Sequence, residues 1–298
     1  MLKIVTVGAC AGDYVGISLK RILKSDSNPG VVRLSSGGVA RNIAEDLFRL
    51  GADVLLISFA GSDRTGEFLA KEMKDLGISH KLLIKDKERS CCYLAIHDHD
   101  GNLECGINDF SIFDTIGAKD FAPCLPDLDK ADMIVLDCNL SHEALTYLIK
   151  RYKDKRIFID GVSQAKIGRL SGLLEDIFLL KANMGELAAL SGIDTKDDFA
   201  PAIDILFQKG LQNILLTSGS GPIRLVGKDG IISINPQSPE KIVSTTGAGD
   251  ALYAGLIRGL SLGLSKEKSL ELGNRAACIV MACAAASSFL LSTDIIDM

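Results

Sequence analysis

The sequence alternates between short apolar runs and longer segments with helical periodicity, and this alternation constrains the fold more than any other feature. Six of the apolar runs are KIVTVGA, DVLLISFAG, ADMIVLDCN, RIFIDGV, DIFLLKAN and NILLTSG. Such continuous runs are typical of strands that are buried on both faces. Because helical segments separate most of them, the chain is predicted to form an α/β fold with a mostly parallel sheet covered by helices on both sides.

Polar residues closely follow several of these strands, namely Asp13, Asn139, Asp160, Asn183 and Thr217. In open α/β sheets, ligands bind beyond the carboxyl ends of the strands. We therefore expect these side chains to converge at one edge of the sheet. The chain has 298 residues, of which 47% are hydrophobic, and this suits one large α/β domain or two small ones. Because no linker is apparent, a single domain over residues 1–298 is expected.

Two segments break the alternation. SCCYLAIHDHDGNLECGIND contains two strand-like runs around an Asp-Gly turn, which predicts a hairpin, and YVGISLKRILKSDSNPGVVRLSSGG suits short strands and turns. Together, segments 12–34 and 88–112 are predicted to form a small β-sheet lid inserted in the domain. The cluster from His97 to Asp100 at the hairpin tip is expected to be solvated and to bind no metal, because successive strand residues point to opposite faces.

Charge and composition disfavour several classes of partner. The net charge of −5 argues against nucleic acid or an anionic membrane as the main partner. The N-terminus has no signal-peptide pattern, and RAACIVMACAAASSFLL is predicted to be a buried helix, so a cytoplasmic protein is expected. The eight cysteines include no CxxC pair and are expected to be reduced thiols without a metal.

The segment STTGAGDALYAGL, residues 244–256, places a glycine-rich turn directly before a helical pattern. A helix N-terminus carries unpaired N–H groups and the positive end of the helix dipole, so the turn predicts an anion site. Asp250 has two interpretations: an acid that stabilises the helix, or a base that takes a proton from a hydroxyl attacking a phosphate. GSDRTGEF lacks the Lys and Ser/Thr of a P-loop, and no GxGxxG follows the first strand.

A second glycine pair, Gly37 and Gly38, precedes the helical segment VARNIAEDLFRLG, which Gly51 is predicted to end. Asn42 lies about one turn into this helix and off its apolar stripe. It is therefore either a surface residue or a residue that reaches a ligand above the glycines. Two glycine-rich helix starts, each followed by a polar residue, indicate a site for two ligands.

The run from Gly37 to Ala44, with Gly51 and Gly61 after it, resembles the N-terminal signature of the ribokinase-like (PfkB-type) carbohydrate kinases, and Ser244 to Ile257 resembles their C-terminal signature. The resemblance covers essentially the whole chain. It implies a ribokinase-like three-layer α/β/α fold and an ATP- and Mg²⁺-dependent kinase for a sugar or nucleoside. Segments such as CGINDFSI and LKANMGELAALSGI are most similar to the pseudouridine kinases, which implies phosphorylation of the 5′-hydroxyl of pseudouridine.

The resemblance also implies roles for individual residues. Asp250 would be the general base, and the N–H groups of Gly247, Ala248 and Gly249 would bind the transferring γ-phosphate. Asp13, Gly37, Gly38 and Asn42 would hold the ribose hydroxyls. Asn183 and Glu186 would organise Mg²⁺ and the phosphates, Thr217 and Gly219 would line the ATP site, and Asn274 would lie near the adenine. Without the resemblance, Asn183 and Glu186 are interpreted as a loop residue and an exposed helix residue.

Three features depart from the family pattern. Ser244 replaces the usual aspartate in a region where potassium-activated relatives hold a monovalent cation, so potassium activation stays open. Ala11 replaces a sugar-contacting asparagine, and TSGSGP is shorter than the usual ATP-loop motif. The alternatives are a kinase for ribose, adenosine or inosine, and a binding protein that keeps the fold without the chemistry. A homodimer through the lid is expected from the family and from the exposed strand edges of the lid.

Overall fold

The computed structural model describes residues 1–283 and 285–297. The strands are β1 (Lys3–Val7), β2 (Ala11–Ser18), β3 (Gly30–Gly37), β4 (Asp53–Gly61), β5 (Ser79–Lys85), β6 (Cys92–His97), β7 (Leu103–Asp109), β8 (Met133–Asp137), β9 (Arg156–Asp160), β10 (Leu179–Asn183), β11 (Asn213–Thr217), β12 (Ile223–Gly227) and β13 (Gly230–Ile234). The α-helices are α1 (Val39–Arg49), α2 (Arg64–Leu76), α3 (Leu125–Asp129), α4 (His142–Arg151), α5 (Gln164–Ile167), α6 (Met184–Ser191), α7 (Ala200–Gln208), α8 (Ala248–Ser261) and α9 (Lys266–Met281).

The main sheet has the strand order β13-β12-β11-β10-β9-β8-β1-β4-β5. All neighbours from β11 to β5 pair in parallel, and β12 and β13 add an antiparallel edge. All five residues of β8 are buried, as expected for a strand covered on both faces. The predicted mostly parallel sheet is confirmed.

Helices cover both faces of this sheet. Ile4 of β1 lies in a core cluster with Ile43 of α1 and Leu256 of α8. Its neighbour Val5 points the other way and lies in a second cluster with Leu145 of α4. The predicted three-layer α/β/α architecture is therefore confirmed, and α1 and α8 share one face of the sheet.

A second, smaller sheet has the strand order β3-β2-β6-β7. Its outer pairs are antiparallel, whereas β2 and β6 run parallel. At the tip of the β6–β7 hairpin, one ligand atom each of Asp98, His99 and Asp100 lies within 4.8 Å of the others. The sequence-based argument that alternating strand residues keep these side chains apart is wrong, because Asp98, His99 and Asp100 form a turn before Gly101 and not a strand.

The late apolar segment differs from its prediction. Helix α9 ends at Met281, and residues 285–291 form bends and turns, so the predicted single helix over RAACIVMACAAASSFLL is wrong beyond this point. This tail packs back on the domain, where Ser287 Oγ donates to Asp46 Oδ1 at 2.6 Å. Among the described residues, no helix combines the length and the apolar character needed to span a membrane.

Candidate active site

The glycine-rich turn at residues 247–249 starts α8 beside the carboxyl ends of the strands. Gly247 has a φ of +80°, and a Cβ there would lie 1.9 Å from the carbonyl oxygen of Ala286, so the position requires glycine. Within the described ranges, the N–H groups of Gly247 and Gly249 have no acceptor, whereas Ala248 N donates to the Thr245 carbonyl oxygen at 3.3 Å. Two N–H groups at a helix N-terminus are therefore available to an anion.

Asp250 connects the two glycine turns. It lies in the first turn of α8 and is buried, and its Oδ2 accepts a hydrogen bond from Asn42 Nδ2 at 2.9 Å. Asn42 lies in the first turns of α1, 208 residues earlier in the chain. Of the two interpretations of Asn42, the surface residue is therefore wrong, because the side chain is buried against the carboxylate.

The electrostatic surroundings of Asp250 act in opposite directions. These surroundings together raise the pKa of Asp250 to about 6: burial has the largest effect and raises it, Lys181 lowers it, and Asp160 raises it. The hydrogen bond from Asn42 lowers it as well. A carboxylate with this pKa is ionised at neutral pH and is more basic than an ordinary aspartate, which is what general-base chemistry needs.

Lys181 is a residue of this site to which the sequence patterns assigned no role. It lies in β10, and its Nζ is 2.5 Å from Oδ2 of Asp160, its register neighbour in β9. A Cβ on Gly249 would lie 3.2 Å from the same Nζ, so the ammonium lies directly under the glycine turn. Burial alone would lower the pKa of Lys181, but Asp160 and Asp250 raise it, so the lysine is charged. Its sequence signal was a single cation within the apolar run DIFLLKAN.

Asp137 organises the start of α1 from the end of β8. This buried carboxylate accepts hydrogen bonds from Ala9 N at 2.8 Å, Ala40 N at 3.1 Å and Asn139 N at 2.9 Å. It thereby caps a helix that begins about a hundred residues earlier, and three fixed N–H donors stabilise its charge although burial raises its pKa. Gly38 completes the turn with a φ of +101°, where a Cβ would lie 2.4 Å from the Ala9 carbonyl oxygen.

Asp13 is placed by the smaller sheet and not by the end of a strand in the main sheet. It lies within β2, opposite Ser35 of β3, and a Cβ on Gly37 would lie 2.1 Å from its Oδ2. Burial raises the pKa of Asp13 to about 6, and the charge of Arg41 lowers it. The acid therefore faces the start of α1, so the structure brings Asp13, Gly37 and Gly38 together.

Arg41 sets the orientation of Asn42. Its Nη1 donates to Asn42 Oδ1 at 3.1 Å, and its Nη2 pairs with Glu45 Oε2 at 2.6 Å. Because a guanidinium can only donate, the carbonyl oxygen of the Asn42 amide must face Arg41 and the NH₂ group must face Asp250. Sequence reasoning missed this role, since a charged residue of an amphipathic helix is normally exposed, whereas Arg41 is buried.

Asn183 and Glu186 form a capping box at the start of α6. Asn183 Oδ1 accepts from Glu186 N at 2.9 Å, Glu186 Oε2 accepts from Asn183 N at 2.9 Å, and Glu186 Oε1 accepts from Asn183 Nδ2 at 2.8 Å. The simpler interpretation of Glu186 as an exposed residue is wrong, because it is buried. Burial and the charge of Asp160 raise its pKa, against the lowering effect of Asn183 and Lys181.

The three remaining predicted ligand residues lie farther along the sheet. Thr217 ends β11 and is the register neighbour of Asn183, so these two side chains lie at the same edge. Gly219 follows in an exposed turn with a φ of +62°. Asn274 of α9 is buried, and its amide holds the 235–237 segment with two hydrogen bonds. Its Oδ1 accepts from Gln237 N at 2.9 Å, and its Nδ2 donates to the Asn235 carbonyl oxygen at 2.9 Å.

Two of the departures have local explanations. Ser244 Oγ accepts from Thr246 N at 3.1 Å, and Ser244 N donates to the Met281 carbonyl oxygen at 3.3 Å, so this residue holds its own turn against the end of α9. Ala11 is fully buried in β2 opposite Gly37. Its methyl group offers no hydrogen bond to a ligand at this glycine turn.

Comparison with known proteins identifies similar sequences over nearly the whole chain. A family model described as pfkB family carbohydrate kinase matches residues 1–293. The chain is 31% identical over 283 residues to the pseudouridine kinase of Escherichia coli, covering 94% of this chain and 90% of that protein. It is 27% identical over 289 residues to the guanosine-inosine kinase of Exiguobacterium acetylicum, covering 95% of each.

Solved structures with the same fold extend this similarity. A carbohydrate kinase from Agrobacterium tumefaciens is 28% identical and superposes with a TM-score of 0.87, covering all of this chain and 96% of that one. The ribokinase of Arabidopsis thaliana complexed with ribose and ATP is 19% identical and superposes with a TM-score of 0.86, covering 99% and 98%. Because the identity to this ribokinase is only 19%, the superposition shows a shared ribokinase-like fold and nothing about the substrate.

Proposed function

The chain belongs to the pfkB family of carbohydrate kinases and is a sugar or nucleoside kinase, and we propose that it transfers the γ-phosphate of ATP to the 5′-hydroxyl of pseudouridine. The observation that carries the proposal is the 2.9 Å hydrogen bond from Asn42 to Asp250. It joins the two glycine turns, so a hydroxyl held at one turn and an anion held at the other meet at the same carboxylate. The 31% identity to a pseudouridine kinase supports the choice of acceptor.

Asp250 is the proposed general base. The 5′-oxygen forms a bond to the γ-phosphorus while its proton passes to the Asp250 carboxylate, and the bond between the γ-phosphorus and the bridging oxygen breaks to release ADP. A pKa of about 6 leaves Asp250 ionised at neutral pH, so it is ready to accept the proton.

The transferring phosphoryl group is proposed to bind at the start of α8. The N–H groups of Gly247 and Gly249 have no acceptor in the described part of the chain and can donate to the phosphate, and the Ala248 N–H exchanges its bond to Thr245 for the phosphate. The charged Lys181 beneath Gly249 adds a fixed positive charge where negative charge develops. This cation also offsets the repulsion between Asp250 and the phosphate.

Asp13, Gly37, Gly38 and Asn42 are proposed to hold the ribose. The carboxylate of Asp13 accepts hydrogen bonds from sugar hydroxyls, and the two glycines let the backbone approach the ring closely. The smaller sheet carries Asp13, so a movement of this sheet would place the acid on the sugar and exclude water from the phosphate.

The residues around Glu186 fit a magnesium ion. Glu186, Asp160 and Asp250 lie around the single charge of Lys181, and both Asp160 and Lys181 shift the pKa of Glu186. This excess of carboxylate oxygens is the donor chemistry that Mg²⁺ prefers, usually with several waters retained. Asn183 and Glu186 would hold the ion largely through water, and a bound ion would neutralise charge on the phosphates.

Residues along the same edge are proposed to bind ATP. Asn183 and Thr217 are register neighbours at the ends of β10 and β11, which suits contacts to the phosphates. Gly219 lies in the exposed turn that follows and would line the nucleotide. Asn274 is proposed to act near the adenine by fixing the 235–237 segment through both ends of its amide.

A substrate panel tests the proposed function. Purified protein is incubated with ATP, Mg²⁺ and pseudouridine, uridine, adenosine, inosine or ribose, and phosphorylated products are identified by mass spectrometry. We expect pseudouridine 5′-phosphate as the preferred product and none from the Asp250→Asn variant. Phosphorylation of ribose but not of pseudouridine contradicts the proposed substrate.

A kinase for another nucleoside or sugar is the second candidate. It is favoured by the 27% identity to a guanosine-inosine kinase over 95% of the chain. In the same panel, this candidate predicts preferred phosphorylation of inosine, adenosine or ribose. Ligand binding without consumption of ATP for any acceptor would instead indicate a protein that has lost the chemistry.

A homodimer through the lid is also proposed. On the face of the smaller sheet opposite Asp13, the apolar side chains Val32, Leu34, Ile96 and Ile107 are exposed, with Val32 at 75%. Contiguous apolar surface of this kind marks association sites. Light scattering at micromolar protein should give the mass of a dimer, and Val32→Asp should give a monomer whereas Ile231→Asp, at an exposed site on β13, should not. A monomeric mass for the unmodified protein contradicts this proposal.

A further inference from the structure

A cavity of about 250 Å³ lies between the smaller sheet and the main domain. The end of β7, the loop after β8 and helix α5 form its walls, with Asn108, Phe110, Asn139 and Lys166 among the lining residues. The roles described above use none of these four side chains. The polar and aromatic lining is the kind that orients a small organic ligand.

The register of the smaller sheet relates this cavity to Asp13. Asp13 of β2 is opposite Tyr93 of β6, and Tyr93 is opposite Asn108 of β7, so the three side chains form one row on the same face. Two strand spacings of about 4.8 Å separate Asp13 from Asn108, or roughly 10 Å. A nucleoside whose ribose lies at Asp13 would extend its base along this row, whereas a free pentose would not reach the cavity.

The loop after β8 provides a second connection. Asn139 N donates to Asp137, the same carboxylate that accepts from Ala40 N at the start of α1. Arg169 Nη1 donates to the Asn139 carbonyl oxygen at 2.7 Å, and Arg169 Nη2 pairs with Asp114 at 2.9 Å. The wall of the cavity is therefore fixed to the same element that starts the ribose site.

Lys166 is one of four charged residues that line the cavity, with Asp109, Asp114 and Arg169. Its Nζ donates to Asn139 Oδ1 at 2.6 Å and lies 4.6 Å from the centre of the Phe110 ring. Within residues 1–283 and 285–297, no carboxylate lies within 4.0 Å of this ammonium, and burial lowers its pKa. A half-buried lysine without an ion pair is costly, and its remaining N–H groups can only donate.

We propose that this cavity binds the base of the nucleoside acceptor and that Lys166 donates a hydrogen bond to a ring carbonyl oxygen. The inference rests on the proposed function and narrows its substrate class to nucleosides with a carbonyl-bearing base, such as uracil. Adenine has no carbonyl group and presents an amino group instead, so it offers Lys166 only ring nitrogens as acceptors. Free ribose leaves the cavity unfilled.

Lys166→Met tests this assignment, because methionine keeps the length of the side chain and removes its donors. Lys150→Met is the matched control, since Lys150 lies on the surface of α4 and pairs with Glu175 and Asp176. We expect Lys166→Met to raise KM for pseudouridine and uridine by about 10- to 100-fold, as for the loss of one charge-assisted hydrogen bond. The KM values for ribose and for ATP, and the melting temperature, should stay within about twofold or a few degrees of the control.

Calorimetric binding of pseudouridine without ATP separates this inference from the proposed function. If the unmodified protein binds pseudouridine and the Lys166→Met variant does so at least about tenfold more weakly, the base site stands even when no acceptor is phosphorylated. An unchanged KM and Kd for nucleosides in Lys166→Met overturns it, as does an equal loss for ribose. A higher kcat/KM for ribose than for any nucleoside also overturns it and leaves the kinase activity intact.

Discussion

Replacing Asn42 with alanine removes one hydrogen bond from Asp250 and leaves the carboxylate in place. The bond is 2.9 Å long and buried, and it lowers the pKa of Asp250, which burial raises to about 6. A hydrogen bond to a charged group contributes roughly 1.5–3 kcal/mol, and one pKa unit corresponds to about 1.4 kcal/mol. The pKa of Asp250 should therefore rise by about one to two units in Asn42→Ala.

The direction of the effect on activity follows from the role of the base. A protonated Asp250 cannot accept the proton of the acceptor hydroxyl, so activity should fall as pH drops through its pKa. The acid limb of kcat/KM is expected near pH 6 in the unmodified enzyme. In Asn42→Ala it should move to between about pH 7 and pH 8, because the ionised carboxylate has lost a donor.

The assay is the pH dependence of kcat/KM for the nucleoside, followed by ADP release, since this parameter reports the pKa values of the free enzyme. If Asn42→Ala only weakens ribose binding, kcat/KM falls at every pH and the midpoint of its acid limb does not move. Asn213→Ala is the matched control: this buried asparagine starts β11, at the opposite end of the strand from Thr217, and donates to the Phe178 carbonyl oxygen at 2.8 Å. An acid limb that stays at the same pH in Asn42→Ala and in the control refutes the assignment of Asp250.

Three further changes test the site. Asp250→Asn should abolish turnover while ATP binding persists. Its free energy of unfolding should exceed that of the unmodified protein by about 3 kcal/mol at pH 7 and above but by only about 0.5 kcal/mol near pH 4, because at high pH the unmodified protein must bury on folding an ionised carboxylate whose pKa is raised from 3.8 to about 6. The same difference in unfolding free energy at both pH values in urea titrations contradicts the raised pKa. Gly247→Ala should abolish activity and should lower the free energy of unfolding far more than the control Gly263→Ala. Both glycines have a left-handed φ, of +80° and +77°, but an added Cβ meets other atoms only at Gly247. Similar unfolding free energies for the two variants would contradict the close contact at Gly247. Asn274→Ala should release the 235–237 segment, because both hydrogen bonds of the Asn274 amide are lost. The KM for ATP should then rise several-fold while the KM for the acceptor stays unchanged. An unchanged KM for ATP would place this segment outside the nucleotide site.

The fold was predictable because its strands are apolar on both faces. Runs such as ADMIVLDCN indicated strands that pack between two helical layers, and helical segments between them favoured parallel neighbours. The late Ala-rich segment failed for a physical reason: composition alone does not show where a helix must turn back. The chain leaves α9 at Met281 and returns Ala286 and Ser287 to the glycine turn and to Asp46, contacts that only the tertiary structure requires.

The candidate site was predictable where backbone geometry leaves a mark in the sequence. Glycines directly before two helical segments indicated both ligand-binding turns. Asp250 was recognisable because a carboxylate beside a predicted anion site needs a functional reason. Lys181, Asp137 and Arg41 left weaker marks in the sequence. Lys181 acts on Asp250 and Asp137 on the start of α1, both far away along the chain, and Arg41 orients its neighbour Asn42 only because packing buries both residues. Charged residues in a strand or on a helix are expected at the surface, and only burial shows that these three are not.

The basicity of Asp250 results from a balance of opposing effects. Burial and Asp160 alone would raise its pKa and keep the carboxyl protonated near neutrality, unable to accept a proton. Lys181 and Asn42 alone would lower its pKa below the usual value and make it a weak base. A general base works best when its pKa lies near the working pH, so both sets of neighbours are needed at once. Because Lys181 is itself held by Asp160, the residue that raises the pKa of Asp250 also positions the one that lowers it.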